Sequence, residues 1–393
     1  MDIKLFQARG DDAPAEATRL AALAGARRPD LVVLFADEEA FEPARAAFLA
    51  TTDGAALIAA TSCRGVMSSG PEGAEAMGAF GALAFYDAAG AYGVGSAALD
   101  EADPRAAAAA AMRDAIENAG REGEAPALVW LASAPGCEEA VIAGLEDVVG
   151  ASTPILGGSS ADRAVQGRWA QATRERILAN GVVVAALFPS TPISFAYSNG
   201  YAPTELSGVA TKVDGRRLIE IDDRPAAEVY DGWCGAIGAP GDAPRAILAE
   251  ATLRPLGRAV AATGDVPDYL LAHPATLHAD GSLELFATVA PGERLRLMEG
   301  GVDPLTRRAG RVAQEALARE SFAHERVAGA LMVYCAGCMM AVDARMGDVA
   351  AGVREALAPI PMLGLYSFGE QGRCWGGGNR HGNLMISCVL FSK

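Results

Sequence analysis

A short run of consecutive apolar residues, with no polar alternation, reads as a strand buried on both faces when it is rich in Val, Ile and Leu. Such runs recur three times in this chain in the same order. The first set is Leu31-Val32-Val33-Leu34-Phe35, a helical stretch near Glu38 to Ala50, Ala56-Leu57-Ile58-Ala59-Ala60, and Gly81 to Tyr86. The second is Ala127 to Leu131, a helix from about Glu138 to Val149, Pro154-Ile155-Leu156, and Val182 to Phe188. The third is Ala330 to Cys335, a helix to about Leu357, Pro361 to Leu365, and Leu384 to Phe391. A β-α-β-β unit used three times predicts a mixed α/β (α+β) protein whose buried sheets are covered by helices.

In each unit the helix between the first two strands makes those strands parallel, so their C-terminal ends share one sheet edge, where α/β folds place ligands. The second strand runs there into small residues: Thr61, Ser62, Cys63 and Gly65; then Gly157, Gly158, Ser159 and Ser160; then Gly369, Glu370 and Gln371. Glycine permits close backbone approach, so the three loops are candidate walls of a small-molecule pocket. Asp162 and Arg163, just past the second loop, are candidates to contact a zwitterion. Taken singly, each glycine reads as an ordinary turn residue.

Between the second and third units, Asp214-Gly215 and Asp280-Gly281 are hairpin turn signals. Asp222 and Asp223 are N-cap candidates, with Pro225 in the first turn of the helix that follows. Pro189 and Pro192 mark a boundary, giving a lead-in over 1–28, one domain over 29–189 and a second over 190–393.

The net charge of −16 and the lack of a Lys/Arg cluster argue against nucleic-acid binding and adhesion to anionic membranes. The start lacks signal-peptide features, and no apolar stretch is long enough for membrane insertion. A cytoplasmic protein is expected. Its seven cysteines show no disulfide grid and suit a reducing compartment.

In order and spacing these segments resemble the FIST family, in which an N-terminal and a C-terminal FIST domain occur together. The resemblance is carried by Thr61-Ser62-Cys63-Arg64-Gly65, Pro154 to Asp162, Val209 to Gly215 followed by Arg224 to Tyr230, Leu295 to Met298, and Gly364 to Glu370. It implies a sensory signal-input protein that binds a small, amino-acid-like ligand. With no output domain in the sequence, the signal is expected to pass to a signalling output protein in trans. Some members of the family are haem proteins that sense nitric oxide.

The third unit holds the densest chemistry. Cys335 and Cys338 have chelating spacing, and with Cys374 and His381 they match a closed Cys3His zinc site. A C-x-x-C between a strand and a helix also reads as a thiol redox pair, and buried cysteines often only fill a core. Glu370 is a candidate to orient His381. Cys338 or Cys374 with His381 and Glu370 would make a nucleophile–base set, but no complete catalytic motif accompanies them, and a non-enzymatic protein is expected. Of the four histidines, His273 is the candidate axial ligand for haem, because an apolar run precedes it.

Overall fold

The first two strands of each repeat lie parallel and the third returns antiparallel beside the first. In the computed structural model, which describes residues 1–8, 13–99, 102–263, 266–374 and 377–393, Leu31–Ala36 pairs with Ala56–Thr61 and Phe80–Tyr86. Leu128–Ser133 pairs with Ile155–Ser159 and Gly181–Phe188. Val327–Cys335 pairs with Met362–Ser367 and Met385–Ser392. The helices Phe41–Thr51, Glu138–Val149 and Met346–Leu357 lie in the crossovers.

Each sheet is completed by a hairpin lent from another unit. Val66–Gly70 of the first unit pairs with Met362–Ser367 of the third. Gln171–Ala172 of the second pairs with Ala56–Thr61 of the first. Glu370–Arg373 of the third pairs with Ile155–Ser159 of the second. The exchange closes a ring, giving three six-stranded sheets in a pseudo-three-fold arrangement.

The lack of polar alternation now has its cause. Alternate residues Leu31, Val33 and Phe35 face a shared core with Trp130, Leu156, Val333, Leu363 and Val389. Their neighbours Val32, Leu34 and Ala36 pack with Phe48 of the crossover helix. Both strand faces are therefore apolar. Phe85 meets Phe391 edge-on at 4.9 Å across the shared core. Truncating such a side chain, as in Phe35→Ala, is expected to cost about 3–5 kcal/mol.

The segment between the second and third units builds a separate nine-stranded sheet. Its hairpin Ala202–Asp214/Arg217–Ile221 turns at Gly215, with φ of 59°. Pro274–Leu277 and Leu283–Leu285 pair around Gly281. Asp222 and Asp223 do not cap a helix. Both take left-handed φ, and the helix Ala226–Cys234 begins after Pro225. The single helix expected after Cys335 is broken at Val342-Asp343, a pair of weak helix formers, into Ala336–Ala341 and Met346–Leu357. Among the described residues, no helix is long and apolar enough to cross a membrane.

Candidate ligand cavity at the strand ends

The ring of exchanged hairpins brings the three loops together. Ala161 N donates to Thr61 O at 3.0 Å, Cys63 N to Tyr366 O at 3.0 Å, and Phe368 N to Ser159 O at 3.2 Å. Most of the loop residues hold this junction rather than line a cavity. Thr61 Oγ1 accepts from Ala170 N, and Ser62 Oγ donates to Gly65 O while accepting from Tyr366 N. Gly157 and Gly158 are needed for packing: β-carbons there would lie 2.0 Å from Leu131 O and 2.7 Å from Ser367 Cβ. Ser160 is fully buried. Burial pushes the Cys63 thiol up to about 12.

A cavity of about 230 Å3 opens beside this junction, between the second and third units and the nine-stranded sheet. Trp169, Phe286, Phe368 and Leu248 give it apolar walls, and Glu138, Arg216, His273, Ser367, Asn383 and Cys335 give it polar ones. Asp162 does not reach it. Its buried carboxylate accepts from the backbone N–H of Ala164, Gln166 and Arg168, which fixes the loop that delivers Val165 and Trp169 to the cavity. Arg163 is exposed and ion-pairs with Asp37 at 3.5 Å. The expected zwitterion contacts of these two residues are therefore replaced by a loop-forming turn and a surface pair.

An ion network closes one side. Glu138 and Glu139 open the helix Glu138–Val149. Arg216 Nη2, from the tip of the Gly215 hairpin, lies 2.6 Å from Glu138 Oε2 and 2.7 Å from Glu139 Oε2. Ser159 Oγ donates to Glu138 Oε1 at 2.8 Å. Glu139 Oε1 accepts from Thr288 N at 2.9 Å and meets His381 Nδ1 at 3.0 Å. Burial alone would raise both carboxyls, but His381 and Arg216 outweigh it and hold them below the usual range. Gly369 permits the crowding, since a β-carbon there would lie 2.7 Å from His381 Nε2 and 3.1 Å from Glu138 Oε1.

Glu370 faces the other way. Gln371 is the register partner of His381 and Glu370 that of Gly382, so strand alternation puts Glu370 and His381 on opposite faces. The expected orienting contact is made by Glu139 instead. Glu370 is fully buried; Ser367 Oγ donates to its Oε1 at 2.6 Å and Met385 N to its Oε2 at 3.0 Å. Burial first, then the nearby Cys335 thiol, push its carboxyl well above the usual range. Gln371 donates to Ser159 Oγ at 3.2 Å.

The same alternation separates the expected zinc ligands. Cys374 follows the strand on the Glu370 and Gly372 face, whereas His381 points toward the Glu138–Val149 helix. Cys335 lies beside Cys338 and Glu370, while Cys374 neighbours Asp268 and Arg380. Among the described residues, no set of three metal-ligating atoms within 4.8 Å contains a cysteine, so a four-ligand zinc site does not fit. Glu138, Glu139 and His381 do meet that distance, but the Arg216 guanidinium already stands where a cation would. Haem does not fit at His273 either: the cavity is smaller than the roughly 300–1,000 Å3 clefts of drug-sized ligands.

Glu138, Glu139, Arg216, Trp169, Phe286, Ser367 and Asn383 were not singled out from sequence. Two signals were there: an acidic pair opening a helix just after Gly136, and a cation next to the Asp214-Gly215 turn.

Residues 30–224 match the FIST N domain and residues 226–373 the FIST C domain. An 86-residue stretch is 28% identical to an uncharacterized protein of Methanocaldococcus jannaschii, covering 21% of this chain and 17% of that protein. The chain thus spans about a sixth of the length of that relative. Among solved structures, cyanuric acid hydrolase from A. caulinodans is 12% identical, with a TM-score of 0.29 over 62% of this chain and 78% of its own. A second cyanuric acid hydrolase structure is 9% identical, with a TM-score of 0.38, and covers 100% of this chain and 99% of its own.

Proposed function

Because the chain belongs to the FIST family and carries both of its domains, we propose that it is a signal-input protein whose cavity beside the three-loop junction binds a small amino-acid-like ligand. FIST domains are those of sensory signal-transduction proteins that bind small ligands. The observation that carries the reading is the cavity's double wall. Glu138 and Trp169 lie in the FIST N match, and His273, Phe286 and Ser367 lie in the FIST C match. A ligand there touches both, so occupancy changes how firmly they are held together, and a partner protein reads the difference. The cavity size and aromatic walls suit a metabolite of amino-acid size with an apolar side chain.

We read the protein as acting by binding rather than turnover. Burial pushes the Cys335 thiol well up and the Cys374 thiol to about 11, which disfavours a thiolate nucleophile. A cytoplasmic setting belongs to the same proposal, as does a signalling partner in trans.

Trp169 supplies the test. Titrating a panel of L-amino acids against the full chain is expected to change its fluorescence and raise the melting temperature. Trp169→Phe should remove the optical change and keep the thermal shift. A panel giving neither response at millimolar concentration rejects the proposal.

A further inference from the structure

We propose that the His273 ring presents a hydrogen-bond acceptor that reads a primary amine on the ligand; this rests on the cavity being the ligand site. His273 is 3% exposed and lines the cavity. Its Nε2 lies 2.8 Å from the carbonyl oxygen of Leu248, which only accepts, so Nε2 carries the ring proton. In the neutral ring Nδ1 is then a lone-pair acceptor, and among the described residues no protein donor reaches it. Burial holds the ring down at about 4, so the neutral form prevails at neutral pH.

Ser367 stands in the same cavity wall, fully buried, with its proton committed to Glu370 Oε1 at 2.6 Å. The two residues stand on one wall. Cys335 is the register partner of Ser367. A β-carbon on Gly337 would lie 3.5 Å from Cys335 Sγ and 3.9 Å from His273 Cε1, so that glycine leaves open the space between thiol and ring.

Elsewhere on the lining, Arg216 spends Nη2 on both glutamates, and among the described residues its Nε and Nη1 protons have no acceptor. An acceptor lacking a donor and a cation with spare donors in one cavity complement an ammonium and a carboxylate. A ligand without the amine leaves a desolvated acceptor unpaired, the kind of loss by which polar sites reject analogues.

Calorimetric titration of the full chain decides it, using L-leucine and L-phenylalanine, each with its 2-hydroxy and deamino analogue. Wild type should bind the amines at least about tenfold more tightly than the deamino acids. His273→Gln keeps a donor for Leu248 O but removes the Nδ1 acceptor, and should shrink that ratio about tenfold; His273→Asn restores an acceptor near Nδ1 and should keep it. If none of these compounds binds wild type, the cavity reading fails and this inference with it. If wild type binds amines and deamino acids alike, or discrimination is unchanged in a folded His273→Gln, only the inference falls. Should His273→Gln misfold by circular dichroism, the wild-type ratio alone decides.

Discussion

Arg216 Nη2 lies 2.6 Å from Glu138 Oε2, tying the tip of a hairpin in the nine-stranded sheet to the first residue of the second unit's helix. The guanidinium is largely buried and Glu138 almost wholly so. Removing one partner of such a pair leaves an uncompensated charge inside the protein. Arg216→Ala is therefore expected to destabilise by about 3–5 kcal/mol, read as a fall in the denaturant midpoint. Arg216→Lys should lose less, since an ammonium keeps the charge without the planar fork. An Arg216→Ala protein as stable as wild type would show that the network holds nothing together.

Acid should loosen the same tie. Glu139 is held below its ordinary value in the fold, because the His381 and Arg216 contacts outweigh burial. For a depressed carboxyl, the stabilisation is full above the unfolded value of about 4.3 and is lost as pH falls through the folded value. Glu139→Gln should flatten the acid limb of stability below about pH 4.3 and lower stability at neutral pH. An acid limb with wild-type slope in the variant would move the effect to other carboxyls.

Gly369 and Gly232 make a matched pair. A β-carbon at Gly369 would press on His381 Nε2 at 2.7 Å and Ser159 Oγ at 3.2 Å. Gly369→Ala should cost about 1–3 kcal/mol, as overpacked sites do, and weaken ligand binding. Gly232 lies in the helix Ala226–Cys234 with nothing near its missing β-carbon, so Gly232→Ala should gain about 0.5–1 kcal/mol. Equal effects at the two positions, measured by thermal melts, would contradict the crowding seen at Gly369.

The repeated β-α-β-β pattern was legible because burial on both strand faces writes itself as uninterrupted apolar runs. Leu31–Ala36, Leu128–Ser133 and Met362–Ser367 all fall on such runs. The exchanged hairpins were not legible. Gln171–Ala172 is two residues long and Glu370–Arg373 is polar, so neither carries a periodic signal. The loop convergence followed from parallel strand pairing, but the zinc tetrahedron assumed that Cys374 and His381 share a face. Which face a side chain takes depends on register, and Gln371, not Glu370, turned out to oppose His381. Arg216 and Glu138 are far apart in sequence and meet only in the tertiary fold, beyond the reach of local pattern.

The thiols should prove slow. Burial is the largest cause raising Cys63 and Cys388 to about 12 and Cys137 and Cys374 to about 11, and it pushes Cys234 and Cys335 up as well. Alkylation by iodoacetamide at mildly alkaline pH should be slow in the native protein and fast after denaturation, followed by mass spectrometry. Cys374→Ser should leave unchanged whatever zinc content purified protein has, because among the described residues no set of three metal-ligating atoms within 4.8 Å includes Cys374. Loss of stoichiometric zinc in that variant would restore the tetrahedral reading.

Ligand binding should release a proton. In the free protein, burial and the Cys335 thiol push the Glu370 carboxyl well above its ordinary value, favouring its protonated form. Ser367 Oγ, 2.6 Å from Glu370 Oε1, separates that carboxyl from the proposed amine position. An ammonium there favours the carboxylate, since an opposite charge nearby lowers an acid's pKa. The bound state therefore holds fewer protons than the free state at neutral pH, by up to about one. Calorimetry in phosphate and in Tris, whose ionisation heats differ, gives that number from the change in observed enthalpy. Glu370→Gln retains an acceptor for Ser367 and cannot titrate, so its binding enthalpy should not depend on buffer in this way. Proton uptake in wild type, or the same release in the glutamine variant, would place the ligand's charge away from Glu370.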